Sequence, residues 1–189
     1  MIEYKDKVKA IIENGTGLKM NEAEEKTIEI ELIKNQKKQE LNFLGYMFQF
    51  EKSKFLQIKL TKKKREKYED RITKALNAYN KQKISDSRSA RRLLIHRMNF
   101  LTSNTRLENN KDNVLVGVFY SNSLLTSKLE DLIGLDEFLY HQVDSLIIEP
   151  RLTQRLKSYS FKKGFENRTF SNFNSKKKKV TLKEILEIW

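Results

Sequence analysis

A chain of 189 residues, 38% apolar and 33% charged, can bury one good-sized core or two small ones but not two large domains. Its formal charge of +13 makes a polyanion the natural partner, because each lysine or arginine that meets a phosphate releases a condensed counterion. The absence of cysteine excludes a disulfide framework and a thiolate metal site. The longest apolar run, Val114–Tyr120, is far below the ~18 residues that span a bilayer. With no signal-peptide pattern either, a soluble cytoplasmic protein with no membrane partner is expected.

The charge is distributed in blocks. Residues 1–50 hold eight basic and nine acidic side chains, 51–100 hold 16 and 5, 101–149 hold 3 and 8, and 150–189 hold 11 and 3. Two basic blocks therefore flank an acidic one, as nucleic-acid contacts require, although lysine-rich solvated helix faces give the same pattern. With one proline and six glycines among abundant Lys, Glu, Leu and Ile, the fold class expected is mainly α with a small antiparallel β portion (α+β).

In chain order, Val8, Ile11 and Ile12 mark a short amphipathic helix over 3–13 that ends at Asn14-Gly15, with a turn at Gly15-Thr16-Gly17. Thr27–Leu32 alternates as a strand, and Lys34–Glu40 is a polar connection. Leu41–Phe50 then reads as a buried strand, with Gly45 removing a side chain where another backbone or a ligand must come close. Glu51-Lys52-Ser53-Lys54 suits a hairpin loop, and Leu56, Ile58 and Leu60 alternate with Gln57, Lys59 and Thr61 to complete a β-hairpin with a packed face and a basic one.

Thr61 can cap a long helix over 62–82 carrying Tyr68, Ile72, Ala75, Leu76 and Tyr79 at helical spacing. Its first turn, Lys62-Lys63-Lys64-Arg65, sets positive charge against the positive end of the helix dipole. Such a breach of a local rule points to function. A second helix turns Leu93, Leu94, Met98 and Leu101 inward and Arg88, Arg91, Arg92 and Arg97 outward. Val114–Tyr120 suits a strand by its β-branched content and a buried helix by its surroundings; we expect helix. Ser127-Lys128-Leu129-Glu130 has capping-box spacing for a helix that breaks near Gly134 and resumes to Ile147, with Leu129, Leu132, Ile133, Leu135, Phe138, Leu139, Val143 and Leu146 as its core face. Pro150 opens a short helix through Leu152, Leu156 and Tyr159. Residues 159–179 interleave five aromatics, Tyr159, Phe161, Phe165, Phe170 and Phe173, with Lys162, Lys163, Arg168 and Lys176–Lys179. These could stack bases while neutralising phosphates, or form a basic loop whose phenylalanines dock on the core. Thr181–Glu184 is another capping box, and Leu182, Ile185, Leu186 and Trp189 form a stripe that should dock on the body or on a partner.

Gly17-Leu18-Lys19-Met20-Asn21, then Lys26-Thr27, a strand, and Phe43-Leu44-Gly45-Tyr46 resemble, in order, the end of the palm of a reverse transcriptase and its primer-grip hairpin ahead of a helical thumb. Residues 93–139, with Met98–Leu107 and Val116–Asn122, look like the helical C-terminal region of bacterial defence-associated, abortive-infection-type members of that family. The resemblance implies three segments: 1–61 as end of palm with the primer grip, 62–149 as a helical thumb-like bundle and extension, and 150–189 as a basic aromatic segment with a terminal helix. It implies an antiviral RNA-directed DNA polymerase whose Mg²⁺ is held by catalytic aspartates in a further polymerase part, in cis or as a partner subunit in trans.

Two departures bear on this. Four residues separate Asn21 from Lys26 where the family pattern has two, so Lys26 is either a nucleotide-proximal lysine after an insertion or a solvated one. No paired aspartates occur, and Tyr68-Glu69-Asp70-Arg71 lies within a helix with the wrong residue types, so this chain alone has no catalytic residues, binds no cofactor and should not polymerise. His96 and His141 have no metal-like spacing to carboxylates. The candidate residues are thus Phe43, Leu44, Gly45 and Tyr46 as a grip, or simply as core. Lys59, Lys62, Lys63, Lys64, Arg65, Arg71, Arg91, Arg92, Lys162, Lys163, Phe165 and Arg168 are candidate contacts to RNA or DNA. A free-standing basic nucleic-acid-binding or protein-interaction module is the alternative.

Overall fold

Apolar alternation after residue 38 produces sheet, and the helical periodicities beyond Thr61 produce the body on which that sheet leans. The computed structural model describes residues 2–20, 39–51, 54–107, 114–126, 128–171 and 180–189. Within them the α+β class expected is found. There are seven helices, one three-stranded antiparallel sheet and one two-stranded antiparallel sheet. The strand expected at Thr27–Leu32, together with Lys26, Lys52, Ser53, Ser127, Phe173 and Lys176–Lys179, lies outside the described residues.

Helix α1 (Ile2–Thr16) runs past Gly15, and the residue that ends it is Gly17 at φ 69, whose N–H donates to the Glu13 carbonyl at 3.0 Å. The first sheet corrects a second boundary. Leu41–Phe50 is not one strand but two, β1 (Gln39–Phe43) and β2 (Tyr46–Glu51), folded on each other at Leu44-Gly45, and β1 takes in Gln39 and Glu40 from the expected connection. Strand β3 (Lys54–Leu60) completes the order β1-β2-β3. Its outer edge is satisfied by the body: Ile58 N–H donates to Thr126 Oγ1 at 3.3 Å and Leu60 N–H to Asp131 Oδ2 at 2.7 Å. The Leu60 end of this edge is thereby occupied by the body.

Thr61 does cap α2 (Lys62–Gln82), and Asp86 caps α3 (Ser87–Thr102). Beyond α3 the expectation of a helix over Val114–Tyr120 fails. Asn104–Arg106 forms β4, and β5 (Leu115–Gly117) pairs with it before the chain turns at Val118. The β-branched residues prevail because β4 offers a partner edge. Gly117, at φ 126, adopts a conformation that a helix cannot use.

Helix α4 (Glu130–Leu146) is continuous through Gly134, where nothing crowds the missing side chain. Its N-cap position is Leu129 in the left-handed region with no side-chain cap, in place of the expected box, and Ile133 is exposed. Helices α5 (Pro150–Lys157), α6 (Phe161–Glu166) and α7 (Leu182–Leu186) follow, α7 with its capping box formed. One core joins Leu60, α2, α3, α4, α5 and Phe161; Leu76, Leu94, Leu132, Leu135, Leu139 and Leu152 are fully buried in it. Arg97, expected outward, is buried: its Nε donates to the Ile185 carbonyl at 3.3 Å and Nη2 to the Glu184 carbonyl at 3.0 Å.

Asp136 holds the start of α6 in place. Its carboxylate accepts from Ser160 Oγ at 2.5 Å, Phe161 N–H at 2.5 Å and Lys162 N–H at 3.4 Å. Burial raises its pKa above the ordinary aspartate value, against those bonds and the nearby Lys163 charge. The folded state therefore holds this proton more tightly than the unfolded chain, so the group adds stability as pH falls through its folded pKa. Between pH 7 and about 4, the stability of the wild type relative to Asp136→Asn should rise on acidification in urea titrations. A difference that is flat or falls over that interval refutes the assignment.

Candidate nucleic-acid interface

A two-residue type I′ hairpin turn needs positive φ at both central residues. Leu44 (φ 48) and Gly45 (φ 81) provide it. Glycine does so freely, whereas a leucine in the left-handed region costs about 1–2 kcal/mol. Leu44 regains nothing by burial, since it is 78% exposed and Phe43 beside it 59%. An exposed apolar pair, one of whose members holds a disfavoured backbone conformation, is the kind of feature that marks a binding surface.

The turn is joined to a helix start. Thr61 N–H donates to the Gly45 carbonyl at 3.0 Å, while Thr61 Oγ1 accepts from Lys64 N–H at 3.3 Å to cap α2. The hairpin tip and Lys62-Lys63-Lys64 thus form one unit. The space left by Gly45 serves Lys64 and not another backbone, for a Cβ there would lie 2.9 Å from Lys64 Cδ. The lysine stem crosses Gly45, its Nζ donates to the Ser121 carbonyl at 2.8 Å, and it sits 4.2 Å from the centre of the Tyr46 ring. Tyr46 donates its hydroxyl to the same carbonyl at 3.1 Å. Burial lowers the Lys64 pKa and raises that of Tyr46.

Tyr46 and Lys64 are therefore engaged inside the chain, and Phe43, Leu44, Lys62, Lys63 and Arg65 form the exposed part of the unit. Lys62 lies 3.8 Å from Glu66 and Arg65 3.5 Å from Glu69, exposed i,i+4 pairs worth about 0.3–0.5 kcal/mol, which a phosphate can displace.

No family model, curated protein or solved structure matches this chain.

The other candidate cations have varied settings. Lys59 bridges the sheet to Glu130 of α4 at 2.6 Å, Arg71 lies 5.5 Å from the centre of the Trp189 ring, and Arg91 is 3.9 Å from Glu149. Arg92 is half-buried on α3, and Lys162 pairs with Glu166 at 3.8 Å while Lys163 is exposed. Phe161, from the aromatic basic segment, is fully buried, so that residue docks on the core. Phe165 and Arg168 instead gather on Phe119, at 5.2 Å between rings and 4.3 Å from guanidinium to ring centre. Sequence reasoning missed the meeting point of these parts, the Ser121 carbonyl. Only the clustering of Tyr120, Ser121 and Asn122 just after the glycine of β5 hinted at it. Among the described residues, no group of three His, Asp or Glu side chains converges to hold a metal, and no helix is long and apolar enough to cross a membrane.

Proposed function

We propose that this chain is the C-terminal part of an RNA-directed DNA polymerase of the bacterial antiphage-defence type and that it holds the template–primer duplex. The catalytic aspartates and their Mg²⁺ would belong to a polymerase segment in cis or a partner subunit in trans. The observation that supports this reading is the tip of the β1–β2 hairpin bonded to the first turn of a lysine-bearing helix, with a left-handed leucine held in the open beside it. In this reading Phe43 and Leu44 pack on the sugar face near the primer end, and Lys62, Lys63 and Arg65 follow the phosphates of the duplex.

The test is anisotropy with a labelled primer–template duplex over 50–200 mM salt, a range chosen because phosphate contacts respond steeply there. Replacing Lys62 and Lys63 together by glutamine should flatten the log–log salt slope by about 2, close to one unit per lost phosphate contact. Leu44→Asn, which installs the Asn-Gly pair that type I′ turns favour, should raise fold stability by about 1 kcal/mol and weaken duplex binding. Duplex binding indifferent to both changes would remove the grip. Primer extension by the complete locus product, absent with this chain alone, tests the polymerase assignment.

A further inference from the structure

We infer that an aromatic platform built from Phe119, Tyr120, Phe165 and Phe170, with Arg168 upon it, binds unpaired nucleotides of a single-stranded nucleic acid. This deepens the duplex-holding proposal above and rests on it. Phe119 meets Tyr120 edge-on at 5.3 Å and Phe165 at 5.2 Å, and Tyr120 reaches Phe170 at 6.1 Å. The set is only partly enclosed, for Phe170 is 45% exposed and Arg168 is exposed at its edge.

The platform is rigidly backed. Buried Asn104 donates its backbone N–H to the Thr169 carbonyl at 2.7 Å and accepts from Ser171 N–H at 2.7 Å, an isolated parallel bridge to Phe170 that ties residues 169–171 to β4. The Asn104 side chain extends the tie: Oδ1 accepts from Phe119 N–H at 2.9 Å and Nδ2 donates to the Thr169 carbonyl at 3.1 Å. Phe119 and the segment bearing Phe170 are therefore held by a single residue, Asn104. Arg168 sits at φ 48, a conformation arginine seldom takes, and thereby lies over the ring of Phe119.

Three features favour single-stranded nucleic acid as the occupant. An exposed Phe170 ring, backed by three half-buried aromatic rings and a guanidinium, suits a stacked base and its phosphate. The bases of a duplex are already stacked on one another, so only unpaired nucleotides can reach such a platform. Charge is complementary, since residues 160–171 carry Lys162, Lys163 and Arg168 against Glu166 alone, and Arg106 lies exposed on β4. Position agrees as well, because Tyr120 adjoins Ser121, whose carbonyl receives Lys64 and Tyr46 from the hairpin tip.

The experiment measures affinity for a blunt duplex and for the same duplex with a 5′ overhang bearing 2-aminopurine, in RNA and DNA forms. The overhang should tighten binding and quench the fluorophore in at least one form. Phe170→Ala and Phe170→Leu should each abolish the quench and weaken overhang binding by about 5- to 100-fold, the loss of one base stack, with blunt-duplex affinity unchanged. Phe170→Trp should restore both. A leucine variant that binds like the wild type would overturn the proposal, because the contact would then need apolar bulk and no ring. An overhang that adds no affinity in either form would overturn it too. The two readings separate cleanly: Lys62 and Lys63 variants report on the duplex, and Phe170 variants on the unpaired strand.

Discussion

Gly164→Ala is expected to destabilise the chain by about 3 kcal/mol or more, through overpacking against backbone that cannot move aside. A Cβ at this position would lie 1.7 Å from the Thr102 carbonyl oxygen and 3.2 Å from Val118 Cγ1. Thr102 ends α3, and Gly164 lies within α6, so the two helices meet with no side chain between them. Neither partner can retreat. The Asp136 carboxylate holds the N-terminal turn of α6, and the Thr102 hydroxyl is bonded to the Met98 carbonyl at 2.9 Å. Separation of α6 from α3 would also disturb Phe161, which is fully buried. Urea unfolding of the two proteins under one condition measures this, and a midpoint within error of the wild type would show that α6 does not dock as described. Gly134→Ala is the natural control, because nothing lies within 4 Å of a Cβ there.

The second large effect concerns the C-terminus. Arg97→Ala should cost about 2–4 kcal/mol and release α7 from α3, because two charge-assisted hydrogen bonds are lost inside the protein along with the packing of the side-chain stem. The carbonyls that Arg97 binds, of Glu184 and Ile185, fall in the last turn of α7, where no intrahelical donor serves them. Burial works against the Arg97 charge and Glu187 supports it. The readout is built in. Trp189 is the only tryptophan in the chain; it stacks on Phe100 at 5.9 Å between centres, and its Nε1 donates to the Arg71 carbonyl at 3.1 Å. Release of α7 exposes that ring, so its emission should move to longer wavelength before global unfolding in urea. Unchanged emission and an unchanged midpoint would mean that Arg97 does not anchor the C-terminus.

Arg97 also shows how a sequence can be misread. It lies three residues after Leu94 and four before Leu101, within the buried stripe, yet its charge argues for solvent. Spacing was the better guide, since a guanidinium can be buried where helix-end carbonyls need donors. Leu44 misleads in the opposite direction. An apolar residue at the first central position of a type I′ turn conceals the turn, because Asn or Gly is usual there, and so Leu41–Phe50 reads as one strand. Phe43, Leu44, Gly45 and Tyr46 were visible as a group, but their division into an exposed pair, Phe43 and Leu44, and an inward Tyr46 beneath Lys64 was not. That division depends on Ser121, 75 residues beyond Tyr46.

What the sequence determined by itself is whatever its own neighbourhood can satisfy. Helix α2 begins at Thr61 because a hydroxyl there caps the backbone three residues on, α5 begins with a proline, which has no N–H in need of an acceptor, and α7 opens on a complete capping box. The apolar spacing on these helices selected most of the core for the same reason, since a 3.6-residue period places neighbours on one face wherever the helix docks. Tertiary structure alone decided that Leu115–Gly117 became strand, where Lys64 reached, and which of the aromatic residues stayed outside. Each of those outcomes turns on a partner outside its own element: β4 for β5, Ser121 for Lys64, and Asn104 for the segment that carries Phe170. Hydrogen-bond partners of that kind have no periodicity to betray them, and they exist only once the chain has closed on itself.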